Sequence, residues 1–220
     1  MASNSTSPSG HDARSAKTRE HLIDAAIDVI GAIGYDAATT RMIANAAGAN
    51  LSAIPYHFGG KKELYLAAAQ KIADYARGRF GEITQLLLQP TGGDAAARFE
   101  KALVHLLHIM LEQAEPHSWT SFVARCTYDN DEAFGIIYEN AIAMLLDELT
   151  AAAKTISVRT ADEATLRLRV SAILTSIVGF RFQRGITLRS MNWENIQGAY
   201  ATQIETMLRD LCKSDFLHTA

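Results

Sequence analysis

The chain has 220 residues, of which 48% are hydrophobic and 20% charged, and this is typical of one or two globular domains with a sizeable core. It has no run of 18 or more apolar residues, its polar N-terminus lacks the apolar stretch of a secretory signal, and Cys126 and Cys212 form no CxxC pair. These features argue against membrane spans, secretion, zinc fingers and disulfide frameworks. The net charge is +2 in residues 1–79 and −5 in residues 80–220, and this asymmetry is too small to indicate nucleic acid by itself. We therefore expect a cytoplasmic protein.

The first elements in chain order are a polar lead-in and a long helix. Residues 1–15 are rich in Ser and polar residues, so we predict a disordered tail. A helix follows from about Lys17 to Ile33, because apolar residues recur at helical spacing along one of its faces.

Two short helices come next, in the segment TTRMIANAAGANLSAIPYHFGGKKEL that starts at Thr39. Thr39 or Thr40 can cap the first helix through its hydroxyl, and Gly48 suits the left-handed turn that ends it. Asn50 can cap the second helix, which we predict from Leu51 to His57. A tight glycine turn between two short helices is typical of the helix-turn-helix motif, whose second helix lies in the DNA major groove. We therefore predict that this segment binds DNA.

The same residues resemble a known family. The segment Leu22 to Leu64 resembles the N-terminal domain of TetR-family transcriptional regulators. Three runs carry the match in order and spacing: TREHLIDAAIDVIGAIGYDAATT, which starts at Thr18, TTRMIANAAGAN and YHFGGKKEL. The remainder matches in architecture and more weakly resembles the CecR branch of that family. The resemblance implies an all-α fold, with an N-terminal three-helix helix-turn-helix domain joined to a helical bundle for effector binding and dimerisation. We place these at residues 16–62 and 91–214, joined by a connecting helix at 63–90.

The resemblance also implies particular DNA contacts. It places Arg41 at the groove edge, where a guanidinium can contact guanine with two hydrogen bonds, and the paired threonine hydroxyls near phosphates. The first residues of the second helix reach bases, and three residues after them match the family's positions on the DNA backbone. For Tyr56 and His57, packing against the first helix is an equally good explanation. The predicted DNA-binding residues are Thr39, Thr40, Arg41, Asn50, Leu51, Ser52, Ala53, Tyr56, His57 and Lys61.

Pro55 departs from the family pattern. It stands where many relatives carry a tyrosine that touches phosphate, so that contact is absent here. Inside a regular helix a proline would remove a backbone donor at a cost of about 3 kcal/mol. We expect the recognition helix to be kinked, or to start later with Ser52 as its cap.

Beyond the lysine pair the whole chain reads as helical. A helix from about Lys61 to Leu88 is long enough to connect two domains, and Pro90-Thr91-Gly92-Gly93 is the clearest break. Further helices are predicted at about 94–113 (capped by Asp94), 118–128, 131–155, 160–184 (capped by Thr160 or Asp162) and 192–213 (opened by Asn192).

The last two helices carry long apolar stripes, and the resemblance implies that they pair with a second copy to form a four-helix bundle. The alternative is that both stripes are buried within one chain. A DNA-binding protein with one short recognition helix usually needs a second copy, bound to a second half-site, to reach useful affinity. We therefore predict a homodimer. The predicted interface residues are Leu166, Val170, Ile173, Ile177, Trp193, Ile196, Tyr200, Ile204, Met207, Leu208 and Leu211.

The helices between combine apolar bulk with polar groups and predict a pocket for an amphipathic or anionic small molecule. The predicted lining is His105, His108, Trp119, Phe122, Arg125, Tyr128, Phe180 and Arg181. His105, His108 and Glu112 also share one helical face, but no second helix offers a matching metal-ligand set, so we predict no metal. No phosphate loop or nucleophile motif appears, so we predict no cofactor and no enzyme.

The leading hypothesis is therefore a ligand-responsive, sequence-specific regulator, usually a repressor, that binds an inverted-repeat operator as a dimer. Two alternatives remain: an all-helical small-molecule or metal-binding protein, and a constitutive DNA-binding regulator without effector. The sequence does not fix the operator or the effector.

Overall fold

The computed structural model describes residues 10–89, 94–112, 116–157 and 162–213, and these residues form helices and contain no β-strand. The α-helices are α1 Gly10–Ile33, α2 Thr40–Ala46, α3 Ala53–Phe58, α4 Lys61–Leu88, α5 Ala95–Leu111, α6 His117–Asp129, α7 Glu132–Ile137, α8 Ala143–Ile156, α9 Glu163–Phe182, α10 Arg184–Met191 and α11 Ala199–Lys213. A π-helical turn, Tyr138–Ile142, joins α7 to α8. The predicted all-α fold is confirmed. Over the described ranges, no helix has the length and apolar character needed to span a membrane.

The chain divides into two compact units, which differ from the predicted domains. Unit 1 comprises residues 1–72 and 115–137, and unit 2 comprises residues 73–114 and 138–220. The sequence placed all of residues 91–214 in one effector domain, whereas α6 and α7 belong with the helix-turn-helix segment. The physical reason is that α6 packs along α1 and α7 contacts α6.

Unit 1 is built around α1. Its fully buried side chains come from every helix of the unit that contacts α1, and they include Leu22, Ile27, Ile30, Ile43, Ile54, Leu64 and Phe122. Helix α1 begins at Gly10, so residues 10–15, which we predicted to be part of a disordered tail, are helical. Residues 1–9 of that predicted tail lie outside the described residues.

Unit 2 is a bundle in which α5 packs against α8, α9 and α11. Its core contains Phe99, Leu103, Leu107, Leu149, Val170, Ile173, Ile177, Ile204 and Leu208. Two predicted caps are confirmed, because Asp94 Oδ1 accepts from Ala97 N at 2.8 Å and Asp162 Oδ1 accepts from Thr165 N at 2.9 Å. The predicted break at residues 90–93 and the alternative cap Thr160 lie outside the described residues.

The last predicted helix is wrong at its start. We predicted one helix opened by Asn192, but Asn192 has a left-handed backbone (φ 54°) and ends α10. The chain then runs without helix to Gly198 (φ 53°), and α11 begins at Ala199. Asparagine is favoured both at helix starts and in the left-handed turn after a helix, so its identity alone could not separate the two.

Candidate nucleic-acid interface

Helix α2 and the turn after it form as predicted. Thr39 Oγ1 accepts a hydrogen bond from Met42 N at 3.2 Å, which satisfies one free amide at the start of the helix. Gly48 has φ +61°, a conformation that is strained for a residue with a Cβ. Buried Ile43 and Ile54 then fix α2 and α3 on the same core. The segment is therefore a helix-turn-helix whose buried face packs on the core through apolar side chains.

Helix α3 begins two residues later than Leu51. The Asn50 side chain does not cap the helix but closes the turn before it, because its Oδ1 accepts from Ser52 N and from Ser52 Oγ, both at 3.0 Å. The helix starts at Ala53, after Ser52, which makes no side-chain capping bond. Pro55 is then the third helical residue, where an amide would have no intrahelical acceptor. Of the two possibilities that we expected, the later start is observed, and α3 accommodates Pro55 without a kink in the helix.

Side chains on α2 and α3 present a mixed polar and apolar surface to solvent. Arg41 is exposed, and its guanidinium has no hydrogen-bond or ion-pair partner among the described residues. Leu51 and Tyr56 are 43% and 75% exposed. Thr39, Asn50 and Ser52 are exposed as well, while Thr40, Ala53, His57 and Lys61 are half-buried.

Three side chains of this surface differ from what their sequence positions suggest. The Ser52 hydroxyl hydrogen is donated to Asn50, which leaves that oxygen only as an acceptor in this arrangement. Lys61 Nζ lies 4.2 Å from the centre of the Tyr35 ring, so the ammonium makes a cation–π contact. Met42 is apolar, yet it is 42% exposed beside Arg41. The neighbouring Ile43 and Ala44 occupy the buried face instead.

Helix α6 braces the end of α1. Arg125 Nε donates to Gly31 O at 3.0 Å, and Arg125 Nη2 donates to Ala32 O at 3.1 Å. A positively charged side chain therefore satisfies two carbonyls at the C-terminus of α1. Ser118 Oγ donates to Asp28 Oδ1 at 2.6 Å. A Cβ on Gly31 would lie 2.3 Å from Ser118 O, so only glycine permits this approach of the two helices.

A second set of contacts ties α4 to the α6–α7 junction. The Tyr65 hydroxyl donates to Asp131 Oδ2 at 2.7 Å, and burial together with this hydrogen bond raises the pKa of the phenol, which stays a neutral donor. Lys62 Nζ pairs with Glu132 at 2.7 Å. The Tyr65 ring also packs on Phe122, with centroids 5.1 Å apart. These contacts complete unit 1 from residues that the sequence had assigned to the effector domain.

The predicted ligand-binding residues are consequently divided between the units. Phe122 and Arg125 serve the packing of α6 on α1, and Tyr128 is 91% exposed. Trp119 also lies on α6 in unit 1, whereas His105, His108, Phe180 and Arg181 lie in unit 2.

The paired histidines of α5 have separate partners. His105 Nε2 lies 2.9 Å from Glu82 Oε2, and His108 Nε2 lies 2.9 Å from Glu205 Oε2. Glu112, the third member of the metal hypothesis, binds Arg79 at 2.7 Å. No group of three or more potential metal ligands occurs in the part of the chain that the structure describes.

Most of the predicted dimer residues face the interior of their own chain. Seven of the eleven are buried in the unit 2 core, namely Leu166, Val170, Ile173, Ile177, Ile196, Ile204 and Leu208. Trp193 and Tyr200 stack on each other at 4.5 Å, and Leu211 is half-buried. Only Met207 is largely exposed. Helical periodicity showed which face is apolar but not whether that face packs within the chain or against a second copy.

Comparison with known proteins identifies the family. Residues 22–68 match the model of "Bacterial regulatory proteins, tetR family", and residues 95–217 match "HTH-type transcriptional dual regulator CecR, C-terminal domain". The HTH-type transcriptional dual regulator CecR of Shigella flexneri is 31% identical over 183 residues, which cover 80% of this chain and 81% of that protein. The chain belongs to the TetR family of transcriptional regulators. It carries a CecR-type C-terminal domain, and it is a DNA-binding transcriptional regulator.

Other matches support the family assignment at longer distance. The HTH-type transcriptional repressor AcnR of Corynebacterium glutamicum is 30% identical over 104 residues, which span 47% of this TetR-family chain and 46% of that protein. A TetR-family regulator structure from Mesorhizobium loti superimposes with a TM-score of 0.62 at 17% identity, over 93% of this chain and 96% of that one. The regulator FadR of Bacillus subtilis, solved in complex with stearoyl-CoA, gives 0.62 at 17% identity, over 89% and 97%. At these identities the structures support the fold alone.

Proposed function

We propose that this regulator binds an inverted-repeat operator as a homodimer and that a small molecule held by unit 2 lowers its operator affinity. The observation that carries the proposal is the exposed surface of α2 and α3, whose other faces are buried. Arg41 lies on this surface and has no partner among the residues that the structure describes. The mode of action is repression, as in the relative named a repressor, while the CecR relative is named a dual regulator. Operator binding requires access to the chromosome, so a cytoplasmic location is part of the proposal.

The proposed base contacts come from Arg41 and the start of α3. The Arg41 guanidinium is free to make two hydrogen bonds to guanine, and the exposed Leu51 side chain offers apolar contact to a thymine methyl group. Tyr56, Thr39 and Lys61 are proposed to contact the DNA backbone.

Arg41→Ala tests this assignment, with Lys101→Ala as the matched control. Lys101 is an exposed lysine of α5 in unit 2, so both variants remove one positive charge. Fluorescence anisotropy against operator and scrambled DNA should show that Arg41→Ala loses about 1–3 kcal/mol of operator binding and relaxes one base preference per half-site. Lys101→Ala should bind as the wild type does. Equal losses in the two variants, or none in either, would remove Arg41 from the interface.

We further propose that the dimer forms through the outer face of α9. Leu168, Ala172, Thr175, Gly179 and Phe182 are spaced by four, three, four and three residues, so they share one face, opposite the buried stripe. Leu168 is 71% exposed, and small residues at the centre of the face permit a close approach of two helices. This outer face replaces the buried stripe as the proposed contact.

The dimer proposal is tested by sedimentation of Leu168→Glu. The variant should run as a folded monomer of 24.0 kDa, whereas the wild type should run at twice that mass. Met144→Glu is the control, because Met144 is an exposed apolar residue of α8 away from the α9 face. A wild type that sediments as a monomer at micromolar concentration would contradict the dimer and weaken the operator model.

For ligand control we propose that the signal passes through the three covalent connections between the units. Helix α4 belongs to both units, with the division after Ile72, and the chain also passes between units on either side of α6–α7. A ligand changes operator affinity only if it binds one conformation better than another. A typical coupling of 1–3 kcal/mol would lower operator affinity about 5–150-fold.

The alternatives give different outcomes in the same assays. A constitutive regulator would bind its operator with an affinity that no ligand changes, and a small-molecule protein with incidental DNA contacts would not prefer operator over scrambled DNA. An operator mobility shift, first alone and then with ligands, separates the three.

A further inference from the structure

A cleft of about 360 Å³ opens on unit 2 where the end of α5, the start of α10 and the start of α11 come together. Its apolar lining residues include Leu111, Ile196 and Ala201. The polar lining includes His108, Glu112 and Arg184. This volume lies within the range of small-molecule sites, and of these six residues only His108 belongs to the ligand set predicted from sequence.

Most of the charges in the cleft are already matched. The Glu112 carboxylate binds Arg79 at 2.7 Å, and the Glu112 carbonyl accepts from Arg181 at 3.3 Å. His108 is held by Glu205, and the hydrogen bonds from Arg209 and His108 lower the pKa of the Glu205 carboxyl. These hydrogen bonds and ion pairs hold the side chains of His108 and Glu112 in place.

Arg184 is the exception. It has no hydrogen-bond, ion-pair or cation–π partner among the described residues, although it is half-buried. A guanidinium without an internal acceptor is available to a ligand, and a carboxylate is its best geometric match because two parallel N–H···O bonds form. Gly198 and Ala201 at the first turn of α11 also line the cleft, and the free amides of a helix start favour an anion there too.

We propose that this cleft binds a monoanionic amphipathic molecule, a carboxylate with an aliphatic body. The carboxylate pairs with Arg184, and the body lies against Leu111, Ile196 and Ala201. One positive charge without a partner among the described residues suits one negative charge, and the second charge of a dianion such as a phosphate monoester would have no matching cation among the cleft residues. The proposal rests on the proposed function only in making this molecule the effector of the regulator.

The test is isothermal titration of the full-length protein with decanoate, 1-decanol and decyl phosphate. Decanoate should bind the wild type, and 1-decanol and decyl phosphate should each bind at least about tenfold more weakly. Arg184→Ala should weaken decanoate binding at least about tenfold, and Arg184→Lys should restore part of it. Arg189→Ala, which removes an exposed arginine from the same helix outside the cleft, should bind decanoate as the wild type does.

Two results would overturn the site: no decanoate binding to the wild type, or equal affinity in wild type and Arg184→Ala. Operator binding measured on the same preparations keeps this outcome separate from the proposed function. Operator binding without any decanoate binding leaves the regulator intact and removes the cleft. Decanoate binding through Arg184 without any operator preference supports the cleft and contradicts the proposed function.

Discussion

Gly31→Ala is the sharpest test of the contact between α1 and α6. Alanine is favoured over glycine inside a helix by about 1 kcal/mol, so the substitution would stabilise α1 in isolation. In the folded chain, however, the added Cβ would lie 2.3 Å from the Ser118 carbonyl oxygen, which belongs to the backbone and cannot rotate away. Overpacking of this kind costs about 1–3 kcal/mol. Because this clash is with backbone, its cost lies at the upper end of that range. Less the gain of about 1 kcal/mol from helix propensity, we expect Gly31→Ala to destabilise unit 1 by about 2 kcal/mol.

Gly78→Ala supplies the opposite sign. Gly78 also lies inside a helix, α4, but an added Cβ there has no atom of the described residues within 4 Å, so we expect a gain of about 0.5–1 kcal/mol. Urea unfolding of each variant is followed in a Trp193→Phe background. Tryptophan fluorescence reports unit 1 through Trp119 on α6 and measures the loss in Gly31→Ala. Circular dichroism reports the whole chain and measures the gain in Gly78→Ala, which lies in unit 2. If Gly31→Ala were as stable as the wild type or more so, the close approach of α6 to α1 would be refuted.

Two further predictions concern Lys61 and Arg125. Lys61→Ala should weaken binding to all DNA sequences similarly and reduce the magnitude of the salt slope by about two per dimer, measured by anisotropy over a range of salt concentrations; an unaltered slope would limit Lys61 to its contact with Tyr35. Arg125→Ala should destabilise unit 1 by about 1–2 kcal/mol in the same urea assay, because two carbonyls of α1 lose a charged donor and water replaces it only in part. Unchanged unfolding would mean that solvent satisfies these carbonyls fully.

The local features of the DNA-binding segment could be predicted because their causes are local. A threonine hydroxyl three residues before an amide and a glycine in a left-handed turn act within a few residues of themselves, as Thr39 and Gly48 show. The start of α3 was harder to predict, because an asparagine side chain at position 50 can either cap a helix or close a turn. It closes a turn with Ser52 and caps no helix.

The assignment of α6 could not be predicted, because it depends on tertiary packing. Phe122 and Arg125 read equally well as the lining of a pocket or as a brace for another helix. What decides between these is the close approach at Gly31, and a glycine inside a helix carries no sequence signal for its partner. The location of a dimer contact was hard to predict for a related reason, since Val170 and Ile204 are apolar because they fill the core of their own chain. The exposed face of α9 gave little signal, because Ala172 is small and the face is only weakly apolar.

The most direct test of the central claim is selection of binding sites from a random DNA library by the purified protein, with sequencing of the bound fraction. The wild type should enrich an inverted repeat whose half-site centres lie about one helical turn, ~10 bp, or somewhat more apart. Arg41→Ala should lose the preference at one position in each half of that repeat while keeping the spacing. Enrichment of no common sequence, or of a single site without two-fold symmetry, would contradict a dimeric operator-binding regulator that reads DNA through α2 and α3.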